Sequence, residues 1–371
     1  MHNNPNQKKF FKSKKFYIIF NGLMVFLLIC CGLYIFWLKP KYDSPLSSPL
    51  ELSDVVKTDY PQSIAIEDEP SEEKEEQENI LSIADLQREK REKQEINLAP
   101  PVCGKDKELI ILAVAIDYRG EDYLYGLADV IRLIRVDFTI PSVYVVALPR
   151  ALLVSSPPNL TDVADPILIN QAYFFGTPGM GRFQGEGYGA GSLAETIHYN
   201  FGIEIDNYVV IDFSAFEDFI DNIGGIEVDL PEYVDDRPNA FFPAGKQTLT
   251  GAEALQLARI RKKYSDNYRI DNQTLILKAI FSKLKQPETW LKLPGQMDII
   301  LNSILTDASI NQIQTAQCLL RKLDSNNLHF FNPGNDLILY DWEFIPTMNQ
   351  EMNIFRWDGR LVEWIYDSLW P

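Results

Sequence analysis

Hydrophobic positions along the chain change period from segment to segment, and the period predicts the element. Residues 16–38 form a run of 23 residues without a charge, weakened only by Asn21 and Gly22. At 1.5 Å per residue, a helix of that length spans roughly 30 Å, about one hydrocarbon core. Residues 39–107 keep no sustained period. Their stretch 67–95 is dense in Glu, Lys, Arg and Gln, and such a segment cannot bury enough apolar surface to fold alone. The pattern predicts a disordered or partly helical linker there.

From Glu108 the texture becomes that of a folded domain. Residues 109–116 are continuously apolar and stop at Asp117, which suits a central strand covered on both faces. Residues 129–137 and 142–148 flank Phe138-Thr139-Ile140-Pro141 and read as a hairpin. Residues 192–201 show helical spacing up to Gly202, a good helix stop. A strand is predicted over 208–213. Ser214 is the expected cap of a helix that buries Phe216, Phe219, Ile220 and Ile223 and ends at Gly224-Gly225. A short strand over 226–230 follows, then a helix over 251–260 capped by Thr250, and another over 274–284. Beyond Pro287 the chain is amphipathic and aromatic, with Trp357, Trp364, Tyr366 and Trp370 near its end; we read this as closing elements packed on the sheet. Strands mixed with helices predict an α/β domain over 108–371, and the hairpin makes its central sheet mixed.

Charge places these segments relative to a membrane. Lys8, Lys9, Lys12, Lys14 and Lys15 precede the apolar run, and only Lys39 and Lys41 follow it closely. The positive-inside rule makes 1–15 a cytoplasmic tail, 16–38 a transmembrane helix and everything beyond extracytoplasmic. The expected location is therefore the plasma membrane, with a single pass. The net charge of −17 over 371 residues argues against nucleic acid as a partner, because phosphate backbones demand Lys and Arg. A tail of fifteen residues has no room for a DNA-reading fold. Cys103 and Cys318 are the extracytoplasmic cysteines, compatible with a disulfide or with two thiols. Neither cysteine nor histidine spacing suggests zinc.

The candidate chemistry lies where charge meets the apolar sheet. Asp117 ends the first strand and Arg119 follows it; Asp129 opens the second strand; Arg150 closes the third. Far along the chain, Arg259, Arg261, Asp266 and Arg269 concentrate charge in an otherwise acidic protein. Carboxylates hold Mg²⁺ through oxygen, and arginine forks grip phosphate bidentately. Two acids with several arginines therefore suit a pyrophosphate with a divalent cation, although the same groups could simply pair with one another. The glycines of 176–191 precede a helix without a strand leading into them, which favours a flexible cover over a phosphate-binding loop.

At these residues the chain resembles the LytR–CpsA–Psr family of cell-envelope phosphotransferases. The resemblance rests on Ala115-Ile116-Asp117-Tyr118-Arg119, Ala128-Asp129-Val130, Leu148-Pro149-Arg150 and Ile169-Asn170-Gln171-Ala172-Tyr173. It continues through Asn222-Ile223-Gly224-Gly225-Ile226-Glu227-Val228, Gly245-Lys246-Gln247-Thr248-Leu249-Thr250-Gly251-Ala252-Glu253, and Arg259-Ile260-Arg261 with Asp266, Arg269 and Gln273. It is strongest over 108–285. The resemblance implies an apolar polyprenyl-binding tunnel between sheet and helices. It also implies transfer of a phosphoglycopolymer from a polyprenyl pyrophosphate to a peptidoglycan or related envelope hydroxyl, assisted by Mg²⁺ or Mn²⁺. Asp117 and Asp129 would hold the metal. Arg150, Arg259, Arg261 and Arg269 would bind the pyrophosphate, and Asp117, Arg119, Asp129 and Asp266 would be catalytic.

The chain also departs from the family pattern. Leu127-Ala128-Asp129-Val130 stands where Arg-Ser-Asp-Thr is usual, and Ala151 where Asp follows Pro-Arg. Leu168 and Asn272 stand where Lys and Arg are usual. These losses motivate the alternative of a non-catalytic binding protein for polyprenyl-linked glycans, or an envelope assembly factor.

Overall fold

The computed structural model describes residues 43–57, 99–118, 126–237, 240–260, 266–292 and 304–371. The tail 1–15 and the predicted span 16–38 lie outside them. Among the described residues, no helix is long and apolar enough to cross a membrane.

The strands are β1 (Glu108–Ile116), β2 (Ala128–Asp137), β3 (Ser142–Leu148), β4 (Leu153–Val154), β5 (Ile167–Leu168), β6 (Asn207–Asp212), β7 (Ile226–Leu230), β8 (Val234–Asp236), β9 (Ala240–Phe242), β10 (Gly245–Leu249), β11 (Ile304–Thr306), β12 (Leu328–Phe331), β13 (Leu339–Ile345) and β14 (Gln350–Arg356). The helices are α1 (Ile169–Gly176), α2 (Tyr188–Phe201), α3 (Phe213–Asn222), α4 (Gly251–Arg259), α5 (Asp266–Leu284), α6 (Pro287–Lys292), α7 (Ile310–Lys322) and α8 (Gly359–Leu369).

The main sheet runs β11-β6-β1-β2-β3-β12. β1 is antiparallel to β2 and parallel to β6, so the sheet is mixed, as the hairpin requires. Alternation along β1 sends Ile110, Leu112, Val114 and Ile116 into a core shared with α1, α2 and α8. Leu112 and Ile116 are fully buried; truncating such a side chain to alanine typically costs about 2–5 kcal/mol. A second core is built from α3, α4, α5 and the small pairs β7–β10 and β8–β9, with Ile220, Val228, Leu257 and Ile276 inside. The functional cavity described below opens where this second body meets the end of the main sheet.

Local chemistry explains most element ends. Gly202 takes the left-handed conformation (φ 70°) that closes α2. Thr250 and Glu253 form a reciprocal capping box on α4. Several predicted boundaries move, among them the start of α2, at Tyr188 rather than 192. Asp212, not Ser214, caps α3, its carboxylate accepting from Ala215 N. α5 begins at Asp266 rather than 274. The glycine-rich stretch is not a cover. A Cβ on Gly176 would stand 2.3 Å from Ser192 Cβ, and one on Gly191 would stand 1.8 Å from Glu186 O. These glycines let α1, α2 and the turn before α2 pack closely on the sheet face away from the cavity. The terminal tryptophans do pack inward: Trp357 is buried against Phe201, their ring centroids 4.7 Å apart.

Part of the stretch read as linker instead runs along the domain. Leu50 and Leu52 pack on the main core. Ser47 Oγ shares a hydrogen bond with the Tyr208 hydroxyl, which donates to Ser48 O at 3.0 Å. Ser53 N donates to the buried Glu195 carboxylate at 2.9 Å, and Lys57 N to Tyr199 O at 2.8 Å. Farther on, Cys103 is bonded to Cys318 of α7. Closing a loop of 215 residues restricts the unfolded chain by about 5 kcal/mol.

Candidate functional site

Register positions the first acid. Ala115 pairs with Val130, but Ile116 pairs with Ala128, so Asp129 is the extra residue of a bulge. Bulges re-aim side chains at strand ends; here the Asp129 carboxylate forms an ion pair with Arg150, just beyond β3. Asp117 lies across the same end of the sheet. Its carboxylate accepts from Leu127 N at 2.7 Å, and its own N–H donates to Leu127 O at 3.1 Å. Partial burial, reinforced by the facing charge of Asp129, raises the Asp117 carboxyl above its ordinary value.

A cavity of about 420 Å³ opens at Asp129, and Asp117 is not among its lining residues. The sheet contributes Ala115, Asp129 and Val130; α3, α4 and α5 contribute Phe213, Leu255, Arg259, Arg269 and Gln273, among others. Arg259 is the last residue of α4. Ile260 is extended (φ −65°, ψ 132°), so the helix stops one residue short of the predicted 260. The Arg259 guanidinium stands 5.0 Å from the Phe213 ring centroid and is held on an aromatic face. Arg269 and Gln273, four apart on α5, share the face turned to the cavity. Arg150 is drawn onto Asp129 by their ion pair and is not itself among the residues lining the cavity. Arg119 and Arg261 lie outside the described residues, as does the Asp266 side chain.

Sequence reasoning missed two contributors. Asp236 of β8 adds a second carboxylate to the cavity lining. Arg132 of β2, only 2% exposed, lies behind it. Its guanidinium donates to Ile131 O and to Gln273 Oε1, both at 3.1 Å. Gln273 Nε2 in turn donates to Ala258 O at 3.3 Å, tying β2 to the end of α4. Burial, and then the neighbouring Arg269, lower the Arg132 guanidinium to about 10. Among the described residues no three His, Cys, Asp or Glu side chains converge as a metal cluster. The pair Asp117 and Asp129 matches instead the one or two carboxylates with which Mg²⁺ is usually held beside phosphates. Mutual repulsion of these two acids is what a divalent cation relieves.

The family substitutions have visible neighbours. Val130 lines the cavity, and Leu168 is buried with Ile345 and Ile354. Asn272 donates to Leu257 O at 3.4 Å within the second body.

Comparison with known proteins gives a consistent result. The family model described as LytR_cpsA_psr family matches residues 69–345. A Bacillus subtilis protein named polyisoprenyl-teichoic acid–peptidoglycan teichoic acid transferase TagV is 27% identical over 244 residues, 63% of this chain and 59% of the relative. An Oceanobacillus iheyensis TagU of the corresponding name is 27% identical over 57% of this chain and 62% of its own. The chain thus spans about three fifths of the length of these relatives. In fold, the B. subtilis TagV crystal structure superposes with a TM-score of 0.57 at 24% identity, covering 72% of this chain and 97% of that one. A structure of TagT bound to LI-WTA superposes at 0.53 and 17% identity, covering 73% and 94%.

Proposed function

Because the chain belongs to the LytR–CpsA–Psr family, we propose that it transfers a phosphoglycopolymer from a polyprenyl pyrophosphate to a hydroxyl of peptidoglycan or a related envelope acceptor. The observation that carries this reading is the convergence on one cavity of Arg259, Arg269, Gln273 and an Asp129 that Arg150 holds. The acceptor oxygen bonds to the polymer-bearing phosphorus. The bond from that phosphorus to the bridging oxygen breaks, and polyprenyl phosphate leaves with the electron pair. Phosphoryl transfer of this kind needs positioning and charge neutralisation more than covalent help.

Arg259 and Arg269 bind the pyrophosphate oxygens. Arg150 keeps Asp129 aimed, and Asp117, at the same end of the sheet, takes the acceptor proton. Arg119, Arg261 and Asp266 belong to the same proposal through the family resemblance. Asp117 and Asp129 would hold Mg²⁺ or Mn²⁺, which supplies positive charge against the phosphates when bound. Phe213, Phe216, Leu255 and Val130 offer an apolar flank to the first isoprene units, and the tunnel for the tail is part of this proposal. Residues 16–38 anchor the chain in the plasma membrane with the domain outside. The Cys103–Cys318 bond suits that oxidising side.

The test is transfer of labelled glycopolymer from its polyprenyl pyrophosphate carrier to purified peptidoglycan by the full chain in detergent. Arg259→Ala and Arg269→Ala should each lower turnover about a hundredfold or more. Tight carrier binding without transfer in the unmodified protein would instead favour the non-catalytic alternative.

A further inference from the structure

Arg132 of β2 is a buried cation that the transfer chemistry described above does not use. Its cross-strand partners are Ala113 on β1 and Ala147 on β3. Both are small, so a long side chain has room to rise between them toward the helix covering this face of the sheet. The guanidinium ends at Gln273 of α5. Among the described residues no carboxylate pairs with it: its acceptors are Ile131 O and Gln273 Oε1, and Arg269 is a like-charged neighbour. A buried charge met only by neutral acceptors is a cost to the fold.

What Arg132 determines is the orientation of an amide. A guanidinium carries donors only, so the Gln273 atom that faces it must be Oε1. The amide nitrogen is thereby turned the other way. One of its two hydrogens goes to Ala258 O at 3.3 Å. Ala258 immediately precedes Arg259, so the same amide also ties α5 to the end of α4. Gln273 lines the cavity together with Asp129, Arg259 and Arg269. The second Nε2 hydrogen is therefore the donor it has left to offer there. Phosphate oxygens accept hydrogen bonds, so a donor is what they need from this position. With no donor at position 132, nothing prevents the amide from flipping and turning Oε1, an acceptor, toward the ligand.

We propose that Arg132 is a positioning residue of the transferase: by holding Gln273 Oε1 from beneath, it fixes the Gln273 amide as a donor toward phosphate oxygens in the cavity. Arg132 does not line the cavity and acts through Gln273. The proposal rests on the reading of this cavity as a pyrophosphate site. It gives a buried charge a role in ligand recognition, and it places a determinant of anion affinity on a strand residue outside the lining.

The experiment is calorimetric titration of the full chain in detergent with inorganic pyrophosphate, a measurement that needs no turnover. Arg132→Met should weaken binding about tenfold, the worth of one hydrogen bond to a charged group. Arg132→Lys keeps a donor facing Oε1 and should bind more tightly than Arg132→Met. Gln273→Leu removes the amide that Arg132 is proposed to act through. In that background Arg132→Met should weaken binding by no more than about threefold, because residues that act as one unit give non-additive losses. Urea unfolding of each variant confirms that the binding compared is that of folded protein. Equal weakening by Arg132→Met with and without Gln273, unchanged binding in Arg132→Met, or a lysine variant no better than the methionine one each overturns the proposal and leaves the pyrophosphate reading standing. An unmodified protein that does not bind pyrophosphate overturns both.

Discussion

Two arginines three residues apart on β2 sit in opposite electrostatic surroundings. Arg135 donates to Glu108 at 2.7 Å, to Asp137 at 3.1 Å and to Leu369 O at 3.2 Å, and its guanidinium lies 5.3 Å from the Tyr144 ring. Its charge is met from every side by the fold. Arg132, on the opposite face, donates only to neutral oxygens and faces the like charge of Arg269. A buried charge is tolerated when partners neutralise it and is a standing cost when they do not. The fold supplies the counter-charge of Arg135 internally. Arg132 sits behind the cavity to which the proposed function assigns a pyrophosphate, and that ligand would supply counter-charge that the described residues do not.

The sharpest way to break this comparison is stability. Arg135→Ala should cost about 3–5 kcal/mol, because it removes the buried cation that Glu108 and Asp137 share. Urea unfolding measures it, and a loss below about 1 kcal/mol would mean the cage does little. Arg132→Met should leave stability within about 1 kcal/mol of the unmodified protein, or raise it, since it removes an uncompensated charge. The same variant should lose part of the stabilisation by inorganic pyrophosphate, which for the unmodified protein at a hundredfold excess over Kd is about 2.7 kcal/mol. Equal destabilisation by both variants would erase the distinction.

The smallest effect extends the comparison to the end of the sheet. Asp117 has a folded value raised above 3.8. Its contribution to stability is therefore present below pH 3.8 and is lost as pH rises through the folded value. Asp117→Asn should remove that loss, so the variant should melt slightly higher at neutral pH, by no more than about 2 °C. Its transfer activity should fall steeply. Calorimetry across the acid range reads the first, and a lower melting point for the variant would refute it.

Much of the scaffold was legible because each signal was local. The apolar run before Asp117, the Thr250 capping box and the stop at Gly202 need no knowledge of distant residues. The end of α4 at Arg259 falls within one residue of the predicted 260. Arg132 was not legible. Alternation on a strand predicts that residues 132 and 135 face opposite ways, but not that both faces are covered. Asp236 was hidden for a related reason, since a short strand in a small sheet reads as a loop. Ser214 and Asp212 are both capable caps two residues apart, and only the fold chooses between them.

The docked segment 43–57 also decides how force would travel. Ser47 and Ser48 are fastened to Tyr208 on β6, Ser53 to Glu195 and Lys57 to Tyr199 on α2. Residues 99–107 are fastened separately, through Val102 to Phe138 O and through Cys103 to Cys318. Tension applied at the N-terminal side therefore reaches the main sheet and α2 first. Under such a pull the fastenings of 43–57 are loaded ahead of the Cys103–Cys318 bond.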